Sequence, residues 1–156
     1  MDTSKAKQFL RQVEFARQKC IQISYKLAEL KTTSKNLIAN YDLNIGGGSG
    51  SVDISGQVVK IDAQQKALEK AMTRWSTKRD EVDRFILALE IPEDKEYLRT
   101  LLLLKYVALV DFTEIAYKLG FSYNYVIRKL HVKALELVEK NLKLYTKKSK
   151  RVNDVQ

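Results

Sequence analysis

The sequence predicts an all-α protein in which a long N-terminal antiparallel helical hairpin or coiled coil is followed by a C-terminal helix-turn-helix. Three observations predict it. Apolar residues recur every seventh position through residues 4 to 41, and a second stretch of similar length, 57 to 90, carries a matching stripe. Near the C-terminus, Gly120 and Ser122 separate two amphipathic segments, the punctuation of a tight turn between helices.

In the first stretch Phe9, Ala16, Ile23, Leu30 and Leu37 share one heptad position, and Val13, Cys20, Leu27 and Tyr41 share the other, with Ser34 as a polar interruption. Such a repeat makes a seam that needs a facing helix, about 55 Å long at 1.5 Å per residue. Cys20 falls on the seam and reads as a small buried filler. Residues 42–56 hold five of the six glycines and read as a flexible Gly/Ser loop. They are not a P-loop, which would end in Gly-Lys-Ser/Thr after a strand. In the second stretch Ile61, Leu68, Met72, Trp75, Val82, Ile86 and Leu89 form the stripe, with Gln65 and Arg79 interrupting it. Two matched helices either fold back on each other or pair with a second copy, so a homo-oligomer through these helices is expected. The expected domains are thus 1–90, the hairpin or coiled coil; 91–145, the helix-turn-helix module beginning at Ile91-Pro92; and 146–156, a basic tail.

The chemistry-bearing residue types are sparse. One cysteine excludes an internal disulfide and a cysteine-based zinc cage, and one histidine weakens any metal or proton-relay reading. No carboxylate pair or nucleophile–base couple stands out, so no catalytic residue, cofactor or metal is expected and the chain reads as a non-enzyme. The most apolar run, Leu101 to Leu104, falls far short of the roughly 20 residues of a membrane span, and no secretory signal is evident. A soluble, cytoplasmic protein without a membrane partner is expected. The net charge of +9 favours a polyanionic partner. It is unevenly spread: residues 1–41 carry 8 basic and 3 acidic side chains and residues 141–156 carry 5 and 1, whereas 91–120 carry 4 and 5.

Asp111 or Thr113 can cap the first short helix, whose inner face is Ile115, Ala116 and Leu119. Gly120 supplies a left-handed residue, Phe121 plugs the angle between helices and Ser122 caps the next helix. There Val126, Leu130, Ala134 and Leu137 face inward by spacing, leaving Asn124, Arg128 and His131 together on the opposite surface. Such a surface suits the major groove of double-stranded DNA. Asn and Arg pair bidentately with adenine and guanine edges, each pairing worth roughly 1–3 kcal/mol of discrimination. Tyr123 and Tyr125 in the first turn can meet thymine methyls or phosphates, and Lys129, His131 and Lys133 can hold the backbone. Amphipathic helix pairs with a glycine between them are common, however, and exposed Asn and Arg are often merely solvated.

Leu102-Leu103-Leu104-Lys105-Tyr106, Glu114-Ile115-Ala116-Tyr117-Lys118-Leu119-Gly120-Phe121-Ser122, Val126 and Leu130-His131 with Ala134-Leu135 resemble region 4 of bacterial sigma factors over about residues 94–140. The family pattern is Leu-x-x-Arg-Tyr, Glu-Ile-Ala-x-x-Leu-Gly-x-Ser, Val, then Leu-His. The whole arrangement is similar to small phage and prophage proteins of Gram-positive bacteria, related to phage late-gene transcriptional regulators. The resemblance implies transcription control by DNA binding in the cytoplasm of a bacterial host cell, with host RNA polymerase as a further partner. Lys105 departs from the family's arginine, and Tyr123-Asn124-Tyr125 from its small or acidic residues; no counterpart of sigma region 2 is present to melt a promoter. The leading expectation is a sequence-specific DNA-binding transcriptional regulator, an activator. The alternatives are a DNA-packaging subunit like a small terminase, whose DNA-binding module ordinarily comes first, and a polymerase-interaction protein that binds no DNA.

Overall fold

The computed structural model describes residues 1–43 and 54–153, and all its regular elements are helical. The middle of the expected Gly/Ser loop, residues 44–53, lies outside the described residues. In chain order the helices are α1 (Ser4–Leu10), α2 (Gln12–Leu43), α3 (Ile54–Leu87), a 3-10 turn (Glu93–Lys95), α4 (Tyr97–Leu102), α5 (Phe112–Leu119), α6 (Tyr123–Tyr125) and α7 (His131–Asn153). Two wider π-helical turns, Leu103–Val107 and Val126–Leu130, continue α4 and join α6 to α7. The described flanks of the expected loop are helical instead: Asp42 and Leu43 end α2, while Ser55 and Gly56 sit in the first turn of α3.

The chain forms two compact units, one of Phe15–Ser76 and one of Met1–Glu14 with Thr77–Gln156. The expected N-terminal segment 1–90 is therefore divided between them. Within Phe15–Ser76 the heptad seam is the buried side of α2, with Ala16, Cys20, Ile23 and Leu27 buried and Leu30 half-buried. Cys20 and Ile23 pack with Ala71 of α3, flanked by Ala67, Leu68 and Trp75. Met72, expected on the stripe, is 52% exposed, and Ala71 takes its place. A small side chain at the contact lets the two backbones approach closely. Further along α2, Lys26, Glu29, Leu30 and Thr33 surround a hollow with Lys60, Ala63 and Gln64 from the start of α3. Early α2 thus meets late α3, and later α2 meets early α3. Burial pushes the Cys20 thiol up, away from the reactive thiolate.

The other unit closes around Leu10, Val13, Val82, Ile86, Leu101, Leu102, Ile115, Val126, Leu130 and Val138, all fully buried. Four of these ten lie before residue 91, so the C-terminal helices complete their core with residues from both ends of the long-helix region. Burying such side chains stabilises by about 1.5–3 kcal/mol each. Helix α1 is separated from α2 only by Arg11, and Gln12 donates its side-chain amide to the Phe9 carbonyl at 3.0 Å across that joint. Helix α1 is seated on α7. The Ala6 backbone N–H donates to Oε2 of Glu139 on α7 at 2.8 Å, and Glu139 is 4% exposed. A carboxylate at the positive end of a helix, accepting one of its orphan amides, is a charge-assisted cap supplied from 133 residues away.

The C-terminus of α3 has no glycine to end it and uses a side chain instead. The Arg99 guanidinium donates to the carbonyls of Ile86 (2.6 Å), Leu87 (2.8 Å) and Leu89 (2.8 Å). Glu96 holds it from the other side at 3.0 and 3.2 Å, and the Arg99 guanidinium holds the Glu96 carboxyl below the usual carboxylate range. Pro92 opens the 3-10 turn, not an α-helix; the Lys95 amide closes onto its carbonyl at 2.9 Å and α4 starts at Tyr97.

Two outcomes follow from this construction. Arg99→Met, which keeps bulk but removes every donor, is expected to lower unfolding stability by about 2–3 kcal/mol in urea titrations. A fragment of residues 91–145 lacks Leu10, Val13, Val82 and Ile86 and is expected to melt without a cooperative transition by circular dichroism; cooperative melting at the full chain's temperature contradicts the shared core.

Candidate nucleic-acid interface

The turn from α4 into α5 is tight. After the first π-helical turn the amides of Ala108 and Val110 close back onto the carbonyls of Leu103 (2.9 Å) and Leu104 (2.8 Å), with Leu109 left-handed at φ 58°. That conformation costs a non-glycine residue roughly 1–2 kcal/mol, offset here by the two closing bonds. Asp111, and not Thr113, caps α5: its Oδ1 accepts from the Glu114 amide at 2.9 Å. Ile115 and Ala116 are buried and Leu119 half-buried, as their spacing requires.

Gly120 ends α5 at φ 75°, and the Phe121 amide reaches back to the Ala116 carbonyl at 3.1 Å. An added Cβ at Gly120 would meet nothing within 4 Å, so torsion and not space makes glycine the fitting residue. Phe121 does not fill the interior between helices. Its ring lies at the rim, 5.6 Å from Tyr97 and 5.4 Å from Tyr125 between centroids. Ser122 Oγ then accepts from the Tyr125 amide at 3.3 Å and opens the next helix.

The π-helical turn sets the faces of that helix. Its extra residue rotates everything downstream by roughly 100° relative to a continuous α-helix. The buried positions accordingly recur by fours, at Val126, Leu130, Ala134 and Val138, with Leu135 beside them; Leu137 is only half-buried. The outer side also runs by fours. Asn124, Arg128 and Val132 are exposed in one row and Tyr125, Lys129 and Lys133 in the next, with Ser122 and Tyr123 exposed ahead of them. Tyr123 and Tyr125 are about half exposed, and the Tyr125 ring leans on Phe121.

His131, expected beside Asn124 and Arg128, is turned away from them. Its Nε2 bonds to Tyr106 Oη at 2.6 Å, its ring stacks on Tyr106 (5.9 Å, 23°), and the Phe112 ring meets it edge-on at 4.9 Å. Val132 takes the outer place that helical spacing had given to His131. Burial pushes the Tyr106 phenol up to about 12 and the His131 imidazole down to about 4, the latter helped by the charges of Lys105 and Lys7. The 2.6 Å bond therefore joins a neutral phenol to a neutral imidazole. Lys105 lies with its Nζ 4.3 Å above the Phe112 ring.

The charges around this face are unevenly paired. Lys118 of α5 pairs with Glu114 at 3.7 Å and Arg99 with Glu96, whereas Arg128, Lys129 and Lys133 have no ion-pair partner among the described residues. Among those residues no group of three or more His, Cys, Asp or Glu could hold a metal ion, and no helix is long and apolar enough to cross a membrane. No protein-family model, curated protein or solved structure matches the chain.

The His131 arrangement has a pH signature. The folded imidazole titrates near 4 and the unfolded one near 6.5, so its contribution to stability is fully present above pH 6.5 and is lost as pH falls towards 4. Allowing for the ring's partial exposure, the loss is roughly 2 kcal/mol. Urea unfolding between pH 7 and 4.5 is expected to show this decline, and His131→Gln, which keeps an acceptor for Tyr106, is expected to flatten it.

Proposed function

We propose that the chain is a sequence-specific DNA-binding transcriptional regulator, an activator of phage or prophage type. In this reading α5, the Gly120–Ser122 turn and the helix from Tyr123 onward form a sigma region-4-like helix-turn-helix. The observation that carries it is the exposed outer side of that helix, where Asn124 and Arg128 stand in one row and Lys129 and Lys133 flank them with no acidic partner among the described residues. Asn124 and Arg128 read base edges in the major groove, while Lys129, Lys133, Tyr123 and the Ser122 end of the helix hold phosphates. Val132, a place apart from the expected set, suits a thymine methyl. His131 orients the helix from within through Tyr106 and does not touch DNA.

In the same reading α2 and α3 of Phe15–Ser76 act as an antiparallel hairpin that joins copies of the chain or engages host RNA polymerase; the meeting of early α2 with late α3 supports it. Exposed Ile21, Tyr25, Val58, Val59 and Met72 supply apolar surface for such a contact. No catalytic step belongs to this function.

Selection of bound fragments from random duplexes supplies the operator. On it, Arg128→Ala and Asn124→Ala are each expected to weaken binding by about 1–3 kcal/mol and relax discrimination at one position, with unchanged melting. Wild-type affinity in both well-folded variants contradicts the assignment.

A further inference from the structure

We infer that one side of the α2–α3 hairpin pairs with a second copy of this chain, making a symmetric bundle of four helices. The pairing rests on the proposed role of Phe15–Ser76 in joining copies and adds the side, the partner and the register.

The two sides of the hairpin differ in chemistry. Residues seven apart stand in one row along a helix that keeps a seam with its neighbour. The hollow between later α2 and early α3 marks one side, bordered by Lys26 and Thr33 of α2 and Lys60 and Ala63 of α3. By sevens along those rows, the same side also holds Lys19, Lys70 and Arg74, all exposed. That side is cationic. Across the seam from it, α3 presents a row of Ile61, Leu68 and Trp75 and then a row of Val58, Gln65 and Met72. Helix α2 covers the first of these only in part. Ile61, Leu68 and Trp75 are half-buried, and Val58 and Met72 beyond them are exposed. The Trp75 indole N–H is buried with no hydrogen-bond partner among the described residues. On the α2 flank of this side Ser24 donates its hydroxyl to the Cys20 carbonyl at 2.8 Å, so Ser24 and Ala28 form a compact surface that a further helix can approach. An apolar seven-residue repeat covered along one edge calls for another helix along the other.

The charges on this side select a copy of the chain itself. Helix α2 contributes Arg17, Lys31 and Lys35, and the outer edge of α3 contributes Asp62 and Glu69. Arg17, Lys31, Lys35 and Glu69 have no ion-pair partner among the described residues, and Asp62 pairs with Lys66 of its own helix at 3.1 Å. Two copies can stack these sides symmetrically in two ways. A two-fold axis across the helices sets α2 on α2 and α3 on α3, which puts cation on cation and acid on acid. An axis along the helices sets α2 of each copy antiparallel on α3 of the other, cation on acid, and complementarity favours it. Such an axis shifts nothing along the helix direction, so the register between copies equals the register within one. Within one chain Leu30 and Ala63 flank the same hollow, and Cys20 and Ile23 pack on Ala71. Between copies Lys31 therefore meets the partner's Asp62, and Ile21 meets the partner's Met72.

Sedimentation equilibrium of the full chain at about 1–100 μM reads the assembly, with circular dichroism to follow the fold. A dimer is expected. Met72→Glu and Ile21→Glu, at exposed positions, are each expected to raise the dimer dissociation constant roughly a hundredfold with helicity unchanged. Lys31→Glu and Asp62→Lys are each expected to raise it roughly tenfold, because each brings like charges together twice per dimer. An equimolar mixture of those two variants is expected to recover wild-type affinity, since both contacts of the mixed dimer then join opposite charges. Should Ile21→Glu or Met72→Glu lose helicity, the two exposed charge variants and their mixture decide the matter. A wild-type chain that stays monomeric, including one that is captured by polymerase as a monomer, overturns the inference. So does a larger assembly, a dimer that neither glutamate variant loosens, or a mixture that recovers nothing. DNA binding is a separate readout: operator binding by a monomer removes the pairing alone, and a dimer without salt-sensitive DNA affinity removes the regulator reading alone.

Discussion

The hydrogen bond between Tyr106 and His131 fixes the direction in which the C-terminal helices point. Tyr106 lies inside one π-helical turn, Leu103–Val107, and His131 directly follows the other, Val126–Leu130. A π turn forfeits the spacing of an α-helix and persists where tertiary contacts repay it. Here each wide turn brings one partner of a 2.6 Å bond to the other, with Phe112 closing the side. The cost of burying a phenol and an imidazole is met by pairing them as neutral groups. A charged His131 would be opposed by Lys105 and Lys7, which help burial hold the imidazole neutral.

Around this bond the unit is fastened by side chains that do the work of absent local signals. Arg99 ends α3 where no glycine stands, and Glu139 starts α1 from the far end of the chain. Both are charged groups accepting or donating to helix termini, where the orphan backbone groups carry partial charge of the opposite sign. Both bonds also join segments distant in sequence. The N-terminal fourteen residues are consequently part of the C-terminal unit's core, through Leu10 and Val13, and not an appendage to it.

Much of this was legible in the residues. The all-helical class follows from periodicity, and the seam residues Ala16, Cys20, Ile23 and Leu27 are buried where a seven-residue repeat places them. Gly120 and Ser122 act as a left-handed terminator and a cap because those roles depend on one residue's own torsions and atoms. What was not legible depends on partners far away in the chain. Arg99 reads as an ordinary surface cation until the carbonyls it caps are in place, and Glu139 as one more polar residue. Met72 and Ala71 are adjacent, and only the facing helix decides which one packs. His131 was misplaced because spacing arguments assume 3.6 residues per turn throughout; the one available hint was that Tyr106 and Phe112 supply aromatic company for a lone histidine.

The same rotation that withdraws His131 changes the character of the outer side. A row of Asn124, Arg128 and His131 is polar throughout and would compete for hydrogen bonds along its length. A row of Asn124, Arg128 and Val132 offers two hydrogen-bonding side chains followed by a compact apolar one, flanked by Lys129 and Lys133, which have no ion-pair partner among the described residues. Base edges present that mixture, with donors and acceptors on every pair and a methyl group on thymine alone. Among the described residues, Lys118 on α5 pairs with Glu114, whereas Arg128, Lys129 and Lys133 on the outer side have no ion-pair partner. Those cations are the ones the proposed polyanion contact would use.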